Sequence, residues 1–225
     1  MKEDFATRFT LDGSHIDRQT STKILGVWIA EDPSCWDINT QQIKKRAYAS
    51  MSILSKLKYA GLSRQKLLHV YSLHVRSSME YCSVAWHDNL TQAQSASIER
   101  LQIVSLKIIL GSDCPIKEDG HFDYDRALAM CNLKSLFLRR QKKTLDFGIK
   151  CIKHPTLKKL FPLNPAIIED PHPVRNREQF AVNHTRTMAY KNSAIPSIQR
   201  RLNKNSPTCP IYSNIVLIDT LDCLQ

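Results

Sequence analysis

His121-x-Asp123 has the spacing of the first two ligands of a non-haem iron facial triad, and His172 or His184 downstream is available as a third. In oxygenases of that kind the ligands stand on strands of a double-stranded β-helix. Here the pair falls in a loop before an expected helix, where Asp123 reads as a cap beside an ordinary surface histidine. Two-metal polymerase or nuclease chemistry would instead need carboxylates held rigidly around paired Mg²⁺. The adjacent acids Glu3-Asp4, Glu31-Asp32, Glu118-Asp119 and Glu169-Asp170 lie at the start of the chain or in turns and loops, so they read as surface acids. The six glycines, at 13, 26, 61, 111, 120 and 148, are too scattered to build G-x-G-x-x-G, a P-loop or G-x-S-x-G. Seven cysteines include no C-x-x-C pair, and their odd number argues against a disulfide framework and for a reducing compartment. No complete catalytic constellation emerges, and no residue is assigned to catalysis, to a cofactor or to a metal.

Charge is more informative. Thirty-two Lys+Arg against 21 Asp+Glu give a formal charge of +11 and a pI near 9.4, which favours polyanionic partners. Between Asp37 and Glu80 stand eight basic residues and no acid: Lys44, Lys45, Arg46, Lys56, Lys58, Arg64, Lys66 and Arg76. On a helix, Lys45, Ser52 and Lys56 fall opposite Met51 and Leu54 as a solvent-facing row, with Lys58 nearer the apolar edge. From Lys134 to Lys159 nine basic residues meet only Asp146. In that run Arg139, Arg140, Lys143 and Lys150 share a face beside a Leu138, Leu145, Ile149, Ile152 stripe. Phosphates neutralised by such rows release counterions, giving salt-dependent binding that is indifferent to base sequence. The residues expected to contact nucleic acid are therefore Lys45, Lys56, Lys58, Arg64, Arg76, Arg139, Arg140 and Lys143. The bland alternative is a solvated basic surface.

The elements that carry these rows change character along the chain. Phe9, Leu11, a turn at Asp12-Gly13-Ser14, Ile16 and the run Lys23–Ile29 predict two or three strands of a small sheet. Pro33 and Ser34 mark a boundary near residue 33. A first helix is expected from Asp37 to about Tyr59 on Ile43, Ala47, Met51, Leu54 and Leu57, with Gly61 as its left-handed stop. A second begins at Ser63 and carries Leu67, Tyr71, Val75 and Ser78. A third opens with a Thr91-x-x-Gln94 capping box, buries Ile98, Leu101, Ser105 and Ile108, and ends at Gly111. Beyond a polar loop, Asp123 caps a short helix, and Leu133 begins a longer one reaching Ile152, stopped by His154-Pro155. Prolines 162, 165, 171 and 173 follow, with one more helix expected over 194–202 and an apolar, nearly uncharged tail from Ser206. The fold class is mainly α, a helical bundle preceded by a short β-hairpin or small sheet remnant. The divisions are 1–33, 34–112, 113–160 and an irregular 161–225. With charges at its amino terminus and no stretch near the ~20 apolar residues of a membrane span, a soluble nuclear or cytoplasmic protein without a membrane partner is expected.

The order of residues also carries a resemblance. Lys23-Ile24-Leu25-Gly26-Val27-Trp28-Ile29, Trp36, Ile43-Lys44-Lys45-Arg46-Ala47 and Leu57-Lys58-Tyr59-Ala60-Gly61 resemble the palm end and thumb start of non-LTR retrotransposon reverse transcriptases. Tyr71, Val75-Arg76-Ser77, Glu80-Tyr81-Cys82, Trp86, Ile98-Glu99-Arg100-Leu101-Gln102, Ile108-Ile109-Leu110-Gly111, Ala127-Leu128, Leu133-x-x-Leu136 and Arg139-Arg140 continue the family order. The resemblance implies a thumb-like bundle closing on a template–primer duplex or RNA–DNA hybrid. In that family the paired, Mg-binding aspartates lie upstream of the Leu-Gly-Val strand. It therefore implies a truncated element, or a palm and fingers on a separate polypeptide, and a tail from Ser206 foreign to the family. The segment from Ile24 to Gly61 also resembles a stretch in the amino-terminal region of AlkB-type tRNA-modifying proteins, which join an iron/2-oxoglutarate oxygenase to a methyltransferase. Fe would enter only under that alternative. A helical protein-interaction adaptor is a third possibility.

Overall fold

The structure, a computed structural model, describes residues 9–164, 180–182 and 184–204. His172, the acids at 3–4 and 169–170, prolines 165, 171 and 173, Cys209, Cys223 and the tail from Ser206 lie outside the described residues. The chain is mainly helical, with small antiparallel pairing at its amino-terminal end.

Two hairpins come first. Strands β1 (Phe9–Leu11) and β2 (Ser14–Ile16) pair antiparallel, with Phe9 opposite Ile16. Strands β3 (Ser21–Ile24) and β4 (Val27–Ala30) form the second pair, with Ile24 opposite Val27. The run expected as one strand, Lys23–Ile29, thus folds back on itself. Its two central residues, Leu25 and Gly26, both have positive φ, +47° and +86°, the conformation of a two-residue hairpin turn. Tyr81 holds the strained tip by donating its hydroxyl to the Leu25 carbonyl at 2.8 Å. Val27 and Trp36 then enter the main core beside helix α1, so the hairpin packs on the bundle across the break at Pro33.

Helix α1 (Asp37–Tyr59) buries Ile43, Ala47, Met51 and Leu54, the stripe expected from its spacing. It ends where Gly61, at φ +82°, lets Leu62 N–H reach the Leu57 carbonyl at 3.2 Å, a Schellman closure. Helix α2 (Arg64–Val70) runs into a π-helical turn (Tyr71–Arg76) and then α3 (Ser77–Glu80). Leu67, Tyr71, Val75 and Met79 are buried, so Met79 replaces the expected Ser78. A four-residue stripe drifts by about 40° per step on an α-helix with 3.6 residues per turn. The wider π turn takes up that drift and keeps all four side chains on one line.

Short α4 (Ser83–Trp86) and a 3₁₀ turn (His87–Asn89) lead to α5 (Gln92–Leu110). Its capping box closes in both directions: Gln94 N–H donates to Thr91 Oγ1 at 3.1 Å, and Thr91 N–H to Gln94 Oε1 at 2.8 Å. Ile98, Leu101 and Ile109 join α1 and α2 in the main core, while Leu106 and Leu110 turn to α6 (Tyr124–Met130) through Ala127, Leu128 and Cys131. Ile108, expected in the stripe, is only partly buried. Asp123 caps α6 by accepting from Arg126 N–H at 3.0 Å.

Helix α7 (Leu136–Lys153) starts three residues later than Leu133, because Asn132 sits at φ +48° and Ser135 supplies the cap. Its buried line is Leu136, Arg140, Thr144, Gly148 and Cys151, whereas Leu138 of the expected stripe is exposed. Leu145, Ile149 and Ile152 do pack, but against a further core with Cys151, Phe161, Phe180, Ile198 and Leu202. The helix is therefore covered on two sides. Beyond it come α8 (Met188–Lys191) and α9 (Ala194–Lys204), an ordered helix within the stretch expected to be irregular.

Gly148 is the contact point of α7 and α9: a Cβ there would stand 2.4 Å from Ile198 Cγ2. That methyl sits on a β-branched carbon with one favoured helical rotamer, so α9 itself would have to move. Helix propensity alone makes Gly148→Ala stabilising by roughly 1 kcal/mol, whereas overpacking costs about 1–3 kcal/mol. Urea denaturation is expected to show a lower midpoint for Gly148→Ala.

Candidate nucleic-acid interface

The eight cations expected to contact phosphates separate into two groups. Lys45 and Lys56 are exposed on the outer face of α1, about 16 Å apart along its axis, without a hydrogen bond or ion pair among the described residues. The same acid-free stretch leaves Lys66 exposed on α2 and Arg46 exposed on α1, where its Nε donates to the Gln42 carbonyl. Lys44 is partly buried on the flank of the row.

The other six cations are engaged in holding the fold or turned inward. Lys58 Nζ donates to the Ile109 carbonyl at 3.0 Å, tying the end of α1 to the end of α5. Arg64 pairs with Asp113 beyond α5. Arg139 and Lys143 converge on Glu80, whose side chain is 2% exposed, at 2.5 and 2.6 Å. Burial pushes the Glu80 carboxyl upward, but hydrogen bonds from Arg139 and Lys143 outweigh it and leave the pKa below the usual carboxylate value. Arg76 is partly buried beside this cluster, and its pKa is lowered by burial and then by the positive charge of Arg139.

Arg140 corrects the expectation most sharply. It is fully buried rather than on a phosphate-facing row, because the α7 face that carries it docks against α4 and α5. Its Nε donates to His87 Nδ1 at 3.3 Å, its NH2 to Ser95 Oγ at 3.1 Å, and its guanidinium lies 5.9 Å from the centre of the Trp86 ring. Burial lowers its pKa, an effect opposed by Glu99 and Glu80.

Glu99 completes this polar seam. Its carboxylate accepts from the Tyr124 hydroxyl and from the first backbone amides of α7, Leu136 N–H at 2.9 Å and Phe137 N–H at 3.1 Å. The negative charge thus meets the positive end of the α7 dipole. Behind it, Tyr71 donates to Gln102 Oε1 at 2.9 Å, and Gln102 Nε2 to the Lys134 carbonyl at 3.0 Å. None of these acceptors carried a readable signal, since a glutamate or glutamine in a helical run gives no sign of facing inward. A cleft of about 670 Å³ opens beside the seam, lined in part by His87, Ser95, Glu99, Tyr124 and Phe137. Arg140 NH1 and His87 Nε2, the donors without partners nearby, are closed to solvent.

The candidate iron ligands are not gathered into a site. Asp123 serves as a helix cap, and His121 donates its backbone N–H to Asp119. Among the described residues no group of three or more His, Cys, Asp and Glu stands close enough to hold a metal ion, and no helix is long and apolar enough to cross a membrane. Comparison of the chain with protein-family models, with curated proteins and with solved structures finds no match.

Two measurements test the seam. The His87 pKa is pushed down to about 4, by burial first and by Arg140 next, against its usual 6.5. Between these values the unfolded chain binds a proton that the native ring refuses, so stability falls as pH drops. Urea unfolding at pH 6.5 and pH 5 is expected to show a loss of about 1.5 kcal/mol, largely removed in His87→Gln. Glu80→Gln takes away the buried countercharge of Arg139 and Lys143, and a loss of about 3 kcal/mol is expected in the same assay at neutral pH.

Proposed function

We propose that this chain binds nucleic-acid backbones through phosphate contacts on the outer face of α1, in the manner of a polymerase thumb resting on a template–primer duplex or RNA–DNA hybrid. The observation that carries this is the availability of Lys45 and Lys56: both point to solvent with no competing carboxylate, in a stretch that holds no acid between Asp37 and Glu80. Glu80 itself is withdrawn into the core, so it does not dilute the positive face. Asp37, at the start of α1, accepts a hydrogen bond from Gln94 Nε2 at 2.7 Å. Contacts of this kind position a backbone and neutralise its charge without selecting a base.

The sequence resemblance to non-LTR retrotransposon reverse transcriptases supports the same proposal, with the polymerase chemistry assigned to a palm outside these residues. Arg139, Arg140 and Lys143 are left out of the proposed contact set because internal groups already engage them. The adaptor alternative draws on Phe137 and Leu138, which are 44% and 55% exposed at the start of α7.

Titration of a fluorescently labelled RNA–DNA hybrid over a range of salt concentrations tests the proposal. Affinity should fall linearly on a log–log scale, and Lys45→Glu with Lys56→Glu should weaken binding and reduce the slope by about two. Binding indifferent to salt or to both substitutions would sink it. A stoichiometric protein partner retained at high salt would favour the adaptor instead.

A further inference from the structure

The outer face of α1 carries more than charge. Lys45, Tyr48, Ser52, Lys56 and Tyr59 follow one another at steps of three, four, four and three residues, which places them on one side of the helix. All five are exposed, Tyr48 at 53% and Tyr59 at 97%. Other tyrosines in the bundle are tied down: the hydroxyls of Tyr71, Tyr81 and Tyr124 donate to Gln102, Leu25 and Glu99. Those of Tyr48 and Tyr59 have no partner among the described residues. These two rings contribute little to the core, since the buried side of α1 is made by Ile43, Ala47, Met51 and Leu54.

A cation followed by an aromatic, twice over along about 16 Å of helix, matches two requirements of a strand whose bases are unpaired. Lysines engage its phosphates, and flat rings stack on its bases. A duplex meets only the first, because its bases are already stacked inside. Stacking tolerates any base, since each offers a π-face, so the face is expected to be indifferent to sequence. The absence of acids from Asp37 to Glu80 supplies the charge complementarity that favours such a strand over an acidic or neutral apolar partner.

We infer that the Lys45–Tyr48–Ser52–Lys56–Tyr59 face of α1 is a binding site for single-stranded nucleic acid, with Lys45 and Lys56 on phosphates and Tyr48 and Tyr59 stacked on bases. This rests on the phosphate-binding function proposed above and narrows its ligand to an unpaired segment. Both tyrosines lie on the exposed side, so replacing them leaves the packing of α1 intact.

The test uses the full chain and four probes: a labelled oligothymidylate, an abasic strand of equal length, the matching RNA oligonucleotide, and the RNA–DNA hybrid. The thymidylate and the RNA should bind at least about tenfold more tightly than the abasic strand and the hybrid. Tyr48→Ala with Tyr59→Ala should erase that advantage while leaving the salt dependence unchanged. Tyr48→Phe with Tyr59→Phe should retain it, because the ring and not the hydroxyl makes the stack. Equal affinity for thymidylate and abasic strands, or an advantage that survives both alanines, would overturn the inference while leaving phosphate binding in place. Failure of every probe to bind would remove the phosphate-binding function as well.

Discussion

The arrangement of this bundle depends on two carboxylates that work out of sight of water. Glu80, at the end of α3, takes Arg139 and Lys143 from α7, and Glu99, inside α5, takes the open backbone amides at the start of the same helix. Together they fix the position and the axial register of α7. A buried ion pair is costly to desolvate, and it persists where its lone pairs and protons are satisfied by further hydrogen bonds. Glu99 meets that condition through Tyr124 as well as the two amides. Once α7 is held, its far side, with Gly148, Leu145 and Ile149, becomes the floor on which α9 and the segment around Phe161 assemble. The amino-terminal core built on α1, α2 and α5 and the later core around Ile198 therefore meet at one helix.

Much of this order is legible in the residues. Apolar side chains at helical spacing give α1 its inner face, and short polar caps at Ser135, Thr91 and Asp123 place the starts of three helices. Those signals are local, which is why they can be read. The misplacements have physical causes that are not local. The strand expected from Lys23 to Ile29 turns back at Leu25-Gly26 because a tyrosine far along the chain holds the tip. On α7 the apolar side chains mark the side facing α9, whereas the side facing α5 is sealed by Arg140, Thr144 and the cap from Glu99. Hydrophobic periodicity registers the first kind of contact and is blind to the second.

The same distinction governs the charge. Two acid-poor runs look alike in the sequence, yet one presents its cations and the other spends them internally. Lys45 and Lys56 stand on a helix whose inner face is closed by aliphatic packing, so their charge is left for a partner. Arg139 and Lys143 neutralise a glutamate that lies on another helix and is 59 positions away from Arg139. A run of basic residues measures how much charge is present. How much remains available depends on where the few carboxylates fold.

The π turn at Tyr71–Arg76 has a consequence for how this chain can change. Such a turn is the imprint of one extra residue in a helix, so removing a residue there would return the segment to ordinary winding. Everything after it would swing by about 100° around the helix axis, carrying Met79 out of the core and Glu80 away from Arg139 and Lys143. A single-residue deletion that is conservative by length would release α7, and with it the second core, without touching either. Insertions and deletions near residue 73 are thus under a tighter constraint than the exposed Leu73 side chain would suggest.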